Sequence, residues 1–271
     1  MHPPLGHVEP HAGMLNAPPV NQLLYKMMTV ENLLRSIEGR YLHFNRVSDY
    51  GDFPGADPND GAQLPRDREG NEAARFARAP DFSAADYYTT SRSRTYACCF
   101  SLENSDHIWC EYANGSEHGK VCVIFRFGGL REMLNRTLDS GQAALLCNGA
   151  RCHQIFSLNY GIVDYVDWDR HQANNAHLQN PLKYTYLKGS RFAEEKELRI
   201  SLSAFGLGQF ALNDGSFMNF PPSLQMEFDF RTALANGTIV QILRDPGCDA
   251  SFVETELARF SIAPAPGSDP A

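Results

Sequence analysis

The chain has 271 residues, of which 43% are hydrophobic, and its formal net charge is −8. This is an ordinary globular composition, with enough chain for a sizeable core. An acidic protein has no general attraction to nucleic acid or to anionic membranes. No apolar run approaches the roughly 18 residues that a membrane span needs, and no basic segment followed by an apolar one opens the chain. The sequence therefore predicts a cytoplasmic protein.

The chain is expected to become ordered at Asn21, after a disordered arm over residues 1–20 that contains many prolines and histidines. Thr29 is a good helix N-cap, and apolar residues follow it at helical spacing. The opening is therefore predicted to be a strand over 22–27, a helix over 30–38 and a strand over 41–44.

Residues 49–95 differ from their surroundings because Gly, Pro, Asp and Arg dominate them. We predict a long polar insertion there, with one helix near 71–78. Connections of this length are usually functional or disordered.

The second half of the chain alternates apolar strand patterns with helical ones. The predicted strands cover 96–101, 121–127, 154–158, 162–166, 197–202 and 238–243, and the predicted helices cover 106–112, 130–139 and 250–260. Residues 263–271 are rich in Pro, Gly and Ala and are expected to form a disordered tail. We therefore predict a single α+β domain over residues 21–262, with a mixed, split central sheet and peripheral helices.

The seven cysteines do not form paired C-x-x-C units. Their odd number and their positions in apolar runs predict reduced thiols, with no disulfide and no structural zinc. The alternative is a partial metal site at Cys147, Cys152 and His153.

Four segments, in chain order, carry a resemblance to a bacterial family. They are Leu24-Tyr25-Lys26; Phe100-Ser101 with Trp109, Tyr112-Ala113 and Gly119; Lys183 with Glu195-Lys196-Glu197-Leu198-Arg199-Ile200; and Ile239-Val240-Gln241-Ile242-Leu243. In these motifs the chain resembles the domain of unknown function 2971 family over about residues 22–260. It departs from that family at Tyr50-Gly51-Asp52-Phe53-Pro54, where the family has an Asn-Asp-Pro-Phe-like turn.

A second resemblance is to ADP-ribosyltransferase-like domains. These often open with a strand that carries Tyr and then His or Arg, have a serine at the end of a middle strand, and place Glu-x-Glu or Gln-x-Glu at the start of a late strand. Here Tyr25-Lys26, Ser101 and Glu195-Lys196-Glu197 occur in that order. The resemblance implies an ADP-ribosyltransferase-like fold and an enzyme that uses NAD as substrate on an unidentified macromolecular acceptor. It further implies an effector role, such as a toxin or a phage-defence protein.

Under this resemblance Glu197 and Glu195 are the catalytic candidates. Residues two apart in a strand face the same side, so both carboxylates are expected to reach one cleft. Glu197 would stabilise an oxocarbenium-like transition state and Glu195 would position or deprotonate the acceptor. The alternative is a solvated charged edge in which Arg199 pairs with Glu197.

The remaining candidates are assigned to NAD binding: Tyr25, Lys26, Ser101, Trp109, Tyr112 and Arg199. Each also has a structural alternative. Lys26 can be an edge-strand lysine, Ser101 a strand end, and Arg199 a neutralising partner for carboxylates. Trp109 and Tyr112, at i and i+3, are expected to share a helical face that either stacks on a base or packs in the core.

Walker, Rossmann and His-Glu-x-x-His motifs are absent from the sequence, which argues against those nucleotide-binding and peptidase classes. Two functional hypotheses remain. The first is the NAD-using enzyme, and the second is a non-catalytic module that binds a nucleotide or a protein in the same cleft. A metal-dependent nuclease lacks a clear carboxylate set.

Overall fold

The computed structural model describes residues 14–52, 55–139, 145–147, 150–152, 156–172, 180–204, 209–212 and 214–262. The strands are β1 Leu23–Thr29, β2 Tyr41–Arg46, β3 Arg75–Phe76, β4 Ala79–Ser83, β5 Thr95–Ser101, β6 Lys120–Arg126, β7 Leu145–Cys147, β8 Ala150–Cys152, β9 Phe156–Ile162, β10 Asp164–Val166, β11 Leu187–Gly189, β12 Glu197–Ala204, β13 Gln209–Ala211, β14 Phe217–Asn219, β15 Ser223–Glu227 and β16 Ile239–Arg244. The α-helices are α1 Val30–Gly39, α2 Pro65–Ala73, α3 Ala84–Ser93, α4 Asp106–Glu111, α5 Phe127–Asp139, α6 Leu182–Thr185, α7 Phe230–Ala235 and α8 Ala250–Arg259, and two 3₁₀ helices cover Val47–Asp52 and Ser190–Glu195.

The main sheet divides at β5. Along one edge, β12 pairs with β5 over the whole length of β5. Along the other edge, β1 meets β5 at Tyr25–Ser101 and β2 meets it at Asn45–Ala97. The sheet therefore splits into a β16-β6-β1 branch and a β2-β15-β7-β8 branch. The predicted α+β class and split sheet are confirmed. The prediction that the central sheet is mixed was wrong: its pairs among the described residues are antiparallel, and the parallel pair β10–β11 lies in a separate small sheet.

The two faces of the main sheet have different chemistry because side chains alternate along a strand. On one face, the apolar residues of β5 and β12 form the main core: Tyr96, Cys98, Phe100, Leu198, Ile200 and Leu202. The residues between them carry polar groups on the other face: Cys99, Ser101, Glu197, Arg199 and Ser201. The polar face of β5 and β12 holds the candidate site.

Local signals explain the first helix. The Thr29 side chain accepts a hydrogen bond from the Asn32 amide at 3.1 Å, and Arg40 ends the helix in a left-handed conformation. The residues Val30, Leu33 and Ile37 are buried against the sheet. The strand–helix–strand opening is confirmed.

Residues 49–95 are more structured than predicted. They contain α2, the β3–β4 hairpin and α3, and the helix predicted near 71–78 lies earlier, at Pro65–Ala73. Pro65 begins α2, and Ser83 and Asp86 form a reciprocal capping box at α3. Polar composition concealed these helices because they bury few apolar residues.

The described chain contacts the domain before Asn21, the predicted start. The Ile162 amide donates to the Asn16 carbonyl at 2.8 Å, and the Gly128 amide donates to the Val20 carbonyl at 2.9 Å. Residues 1–13 and the tail predicted over 263–271 lie outside the described residues. In the described part of the chain, no helix combines the length and apolarity needed to span a bilayer.

Candidate active site

Three candidate residues form a row across neighbouring strands. Ser101 on β5 is directly opposite Tyr25 on β1 and Glu197 on β12. Because directly opposed residues of antiparallel strands face the same side, the three side chains share the polar face. Tyr25, Ser101 and Glu197, which occur in that order along the chain, therefore lie side by side on three neighbouring strands.

Glu197 is bonded to a fully buried arginine. The Arg199 Nε donates to Glu197 Oε1 at 2.5 Å, and Nη2 donates to Glu197 Oε2 at 2.8 Å. Arg199 also binds Asp60 through both terminal nitrogens, at 2.5 and 2.7 Å, and donates to the Thr185 carbonyl at 2.7 Å. These five bonds use the five N–H groups of the guanidinium. The predicted alternative is therefore correct in pairing Arg199 with Glu197 and wrong in making the pair solvated, because Arg199 is 0% exposed and Glu197 is 4% exposed.

Lys188 on β11 is the second cation of the site. Its Nζ lies 2.5 Å from Glu195 Oε2, 3.4 Å from Glu197 Oε2 and 3.7 Å from Asp60 Oδ2. The Tyr112 hydroxyl also lies close to the Glu195 carboxylate. Glu195 and Glu197 therefore meet at one ammonium group.

The two glutamates have pKa values shifted in opposite directions. Burial alone would raise the pKa of Glu197, but the charges of Arg199 and Lys188 and the hydrogen bonds of Arg199 lower it to about 2. Burial raises the pKa of Glu195, and the Glu197 carboxylate adds to this against the opposing charge of Lys188. One carboxyl group is thus held ionised while its neighbour binds a proton more readily.

Three further side chains enclose Glu197. The Tyr165 hydroxyl accepts the Glu197 amide hydrogen at 2.8 Å, and the Tyr50 hydroxyl donates to the Ala97 carbonyl at 3.0 Å. Tyr50 also lies 3.3 Å from the Cys99 sulfur. Burial raises the pKa values of Tyr50 and Cys99 well above their usual range, so both groups are neutral at physiological pH.

The prediction that Glu195 and Glu197 converge because they lie two residues apart on one strand was wrong. Glu195 is not on a strand with Glu197 but ends a 3₁₀ helix, and Lys196 between them has a φ of 44°. This left-handed residue turns the chain at the start of β12. The carboxylates come together through that turn and through Lys188.

Lys26 lies apart from this site. It lies on the same face of β1 as the core residues Leu24 and Met28, and its Nζ donates to the Cys99 carbonyl at 3.2 Å, 5.1 Å from the centre of the Phe100 ring. This places the ammonium at the split between β1 and β2. The structure does not bring Lys26 to Glu197, because adjacent residues of a strand face opposite sides.

Ser101 is in the row, but its hydroxyl is bonded locally. Its Oγ donates to the Glu103 carbonyl at 2.9 Å and accepts the Glu103 amide hydrogen at 3.2 Å. This turn ends β5, as the structural alternative for Ser101 had predicted.

Trp109 and Tyr112 do not share a helical face, because α4 ends at Glu111 and Tyr112 has extended backbone angles. Trp109 packs with Tyr25 against a small cluster formed by Cys122, Ile124 and Leu243. Its Nε1 donates to Asn104 Oδ1 at 2.7 Å. Tyr112 is 39% exposed although its hydroxyl reaches Glu195. Tyr112 is therefore the predicted residue that links the buried carboxylates to solvent.

Asp60 and Lys188 are central to the site but were not predicted. Asp60 lies in the polar insertion, 139 residues before Arg199, and no local pattern reveals a contact at that separation. Lys188 follows the apolar run Tyr184-Thr185-Tyr186-Leu187. A lysine at the end of a buried segment was the one signal available, because such a residue needs a carboxylate partner.

In the described part of the chain, His, Cys, Asp and Glu form no group of three or more suited to a metal ion. The described cysteines, at 98, 99, 110, 122 and 248, are free thiols. The side chains of Cys147, Cys152 and His153 lie outside the described residues.

Comparison with known proteins gives little further information. No protein-family model matches the chain, so its resemblance to the domain of unknown function 2971 family depends on the motifs alone. No curated protein matches it either. Among solved structures, the chain is similar to Thermus sp. 2.9 DarT in complex with ADP-ribosylated ssDNA, with 10% identity, coverage of 93% of this chain and 95% of that chain, and a TM-score of 0.32. This similarity assigns neither an activity nor a residue role to the present chain.

Proposed function

We propose that the protein is an ADP-ribosyltransferase-like enzyme that cleaves the bond between nicotinamide and ribose in NAD. The observation that carries this proposal is the carboxylate pair Glu195–Glu197, bridged by Lys188, with pKa values shifted in opposite directions. Adjacent carboxyl groups with separated pKa values divide acid–base and electrostatic roles between them. An effector role, as a toxin or in phage defence, belongs to the same proposal.

The chemistry requires one ionised carboxylate and one proton acceptor. When the C–N bond breaks, its electron pair leaves with nicotinamide and positive charge develops on the ribose. Glu197, ionised over the physiological range, stabilises that charge. The acceptor nucleophile then forms the new bond to ribose and gives its proton to Glu195.

The approach to this pair passes Tyr112. Its ring is partly exposed, whereas Glu195 is 7% exposed and Glu197 is 4% exposed. Tyr25 and Trp109 pack together on the same face of the sheet. We assign these aromatic side chains to the nicotinamide end of NAD, because the face of an aromatic ring attracts a flat, positively charged ring.

A non-catalytic binding module is the second candidate, and one observation favours it. The N–H groups of Arg199 are all bonded within the protein, and the Glu197 carboxylate is covered by Arg199 and Lys188. Under this alternative the charge network is structural and a ligand binds at the exposed edge near Tyr112.

The test is release of nicotinamide from NAD and transfer of a label to candidate acceptors, for wild type, Glu197→Gln and Glu195→Gln. Glu197→Gln removes the stabilising charge, so we expect both reactions to fall by about 10²–10⁴-fold. Glu195→Gln should reduce transfer more than NAD hydrolysis. Glu194→Gln is the matched control, because the Glu194 side chain is 81% exposed and contacts His107 at 3.5 Å instead of the network.

If the wild-type protein neither binds nor consumes NAD with any acceptor tested, the proposal of an NAD-cleaving enzyme is overturned and the binding module is favoured. Unchanged activity in folded Glu197→Gln would remove Glu197 from the reaction and leave it as a partner of Arg199.

A further inference from the structure

The proton-accepting role of Glu195 depends on how its charge is balanced. The ion pairs of the site join three carboxylates, Asp60, Glu195 and Glu197, to two cations, Lys188 and Arg199, so these five groups carry one excess negative charge when all are ionised. Burying such an excess is costly, because the surroundings solvate charge poorly. One carboxylate must therefore be the most easily protonated.

The two cations are not shared equally. Arg199 directs its N–H groups to Asp60, Glu197 and the Thr185 carbonyl. Among the ion pairs of the described residues, Glu195 has a single cationic partner, the Lys188 ammonium. Glu195 is thus the carboxylate whose charge depends on Lys188.

Lys188 is held firmly in place. It is the middle residue of β11, in register with Tyr165 of β10, and its side chain is 7% exposed. Its Nζ lies 5.1 Å from the centre of the Phe192 ring, which covers it on another side. A lysine fixed in this way has lost the conformational freedom of its long side chain, and three carboxylate contacts compensate for that cost.

We infer that Lys188 is a positioning residue: its ammonium holds Glu195 beside Glu197 in the ionised form that accepts a proton from the acceptor nucleophile. This inference rests on the proposed function. Without Lys188, Glu195 would face the Glu197 carboxylate with no opposing charge, would retain its proton and would be unable to act as a base.

The charged and titratable groups around Glu195 come from every element packed against it. They are Lys188 on β11, Glu197 and Arg199 on β12, Cys99 on β5, Tyr165 on β10, Tyr112 after α4, and Asp60 and Tyr50 in the insertion. The phenols of Tyr112 and Tyr165 have raised pKa values, because both are desolvated and both lie near carboxylates. They remain neutral through the range in which Glu195 titrates, so the ammonium sets the ionisation of Glu195.

The first measurement needs no NAD. The Glu195 carboxyl is titrated by carbon-13 NMR in wild type and in Lys188→Met, with Glu195→Gln identifying its signal. Loss of the neighbouring positive charge should move the titration midpoint up by about 1–3 pH units. Lys183→Met is the matched control, since Lys183 is also buried but pairs with Asp164, and it should leave the midpoint in place.

Two further variants keep the test decisive if Lys188→Met does not fold. Lys188→Gln retains hydrogen-bond donors but has no charge, and it should reproduce the upward shift. Lys188→Arg restores the charge and should return the midpoint to near the wild-type pH. A structural role alone would not separate these two substitutions.

The second measurement is the pH profile of label transfer. The acid limb of the profile should move to higher pH in Lys188→Gln by the same amount as the titration midpoint, and transfer should fall more than NAD hydrolysis. In a Glu195→Gln background the Lys188 substitution should have no further effect on the profile.

An unchanged Glu195 midpoint in the uncharged Lys188 variants would overturn the inference, whatever their activity. An upward shift in a protein whose wild type consumes no NAD would support the hold of Lys188 on Glu195 and would overturn the proposed reaction instead.

Discussion

The guanidinium of Arg199 sets the energetics of the site at the scale of single residues. It is 0% exposed and is neutralised by Asp60 and Glu197. Forming such a buried pair contributes little net stability, because desolvation offsets the attraction. Breaking it is expensive, because an uncompensated charge remains in the interior. Substitution of Glu197 therefore affects folding as well as any chemistry.

The pH dependence of stability follows from Glu197. Its pKa is lowered from 4.5 to about 2 in the folded protein, so the contribution of its ionised form is present above pH 4.5 and is lost as the pH falls through 2. Glu197→Gln should lower the free energy of unfolding at pH 7 by on the order of 3 kcal/mol. The difference from wild type should narrow between pH 4.5 and 2.

Urea denaturation of both proteins across this pH range measures the effect, with Glu194→Gln as the exposed control. A constant difference down to pH 2 would contradict the prediction. The same experiment gives the folding correction needed to interpret any change of activity in Glu197→Gln.

The sequence predicted part of the residue-scale picture. The alternation along β12 correctly placed Glu197 and Arg199 on one face, because that relation is local. The pairing of Arg199 with Asp60 was beyond prediction, because it depends on how an irregular segment folds back over the sheet. The separation of Lys26 from Glu197 is a local effect. Lys26 is adjacent to Tyr25 in the sequence, and adjacent residues of a strand face opposite sides of the sheet, so Tyr25 lies on the face of Glu197 and Lys26 does not.

At the scale of elements, residues 49–95 show the limit of hydrophobic periodicity. Mean polarity correctly set this segment apart, but it concealed α2 and α3. Tyr88 of α3 and Leu64, the N-cap residue of α2, pack with Tyr184 and Leu187 in a small satellite cluster rather than in the main core. Capping signals at Pro65 and Ser83 were the more informative features, because a cap reports a helix start whether or not the helix is apolar.

The turn into β6 offers a direct test of local backbone geometry. Gly119 has a φ of +89° and Gly115 a φ of +83°, so alanine is strained at either position. A Cβ at Gly119 would lie 2.6 Å from the Cys248 Cα, whereas a Cβ at Gly115 would meet nothing within 4 Å. We expect Gly115→Ala to cost about 1 kcal/mol and Gly119→Ala about 2–5 kcal/mol.

Chemical denaturation of the two alanine variants measures this difference. Gly119 lies in the motif that carries the family resemblance, and its carbonyl accepts the first amide hydrogen of α1, from Val30, at 3.1 Å. Equal stabilities would show that the loop containing Cys248 moves freely away from Gly119, contrary to the close packing described.

At the scale of the whole molecule, the predicted class was correct because alternation of apolar and polar residues is written into each strand. The order of the strands in the sheet cannot be predicted from that alternation. The Tyr25–Ser101–Glu197 row joins three strands from distant parts of the chain, and the Glu195–Lys188 contact adds a fourth from the small parallel sheet. These contacts arise from topology, so a motif in chain order indicates candidates but cannot show which of them meet.

The start of the described chain forms an edge of the same assembly. Asn16 pairs with Ile162 at the end of β9, and its side-chain amide donates to Asp164 at 3.2 Å. The Leu15 side chain lies against Gly161, and Val20 lies against Gly128 at the start of α5. The segment 14–20 therefore connects β9, which borders β12, to the helix that follows β6.

We predict that this segment stabilises the domain, in contrast to the sequence-based expectation that residues 1–20 form a disordered arm. A protein beginning at Asn21 loses the hydrogen bonds of Asn16 and Val20 and the apolar contacts of Leu15, a cost of about 2–4 kcal/mol. A protein beginning at Met14 retains them and is the matched control with which the shorter protein is compared. Urea denaturation separates the two proteins, and limited proteolysis should show faster cleavage near β9 in the shorter one. If the protein beginning at Asn21 is as stable as wild type, these contacts make no net contribution, and the domain boundary lies at residue 21 as the sequence suggested.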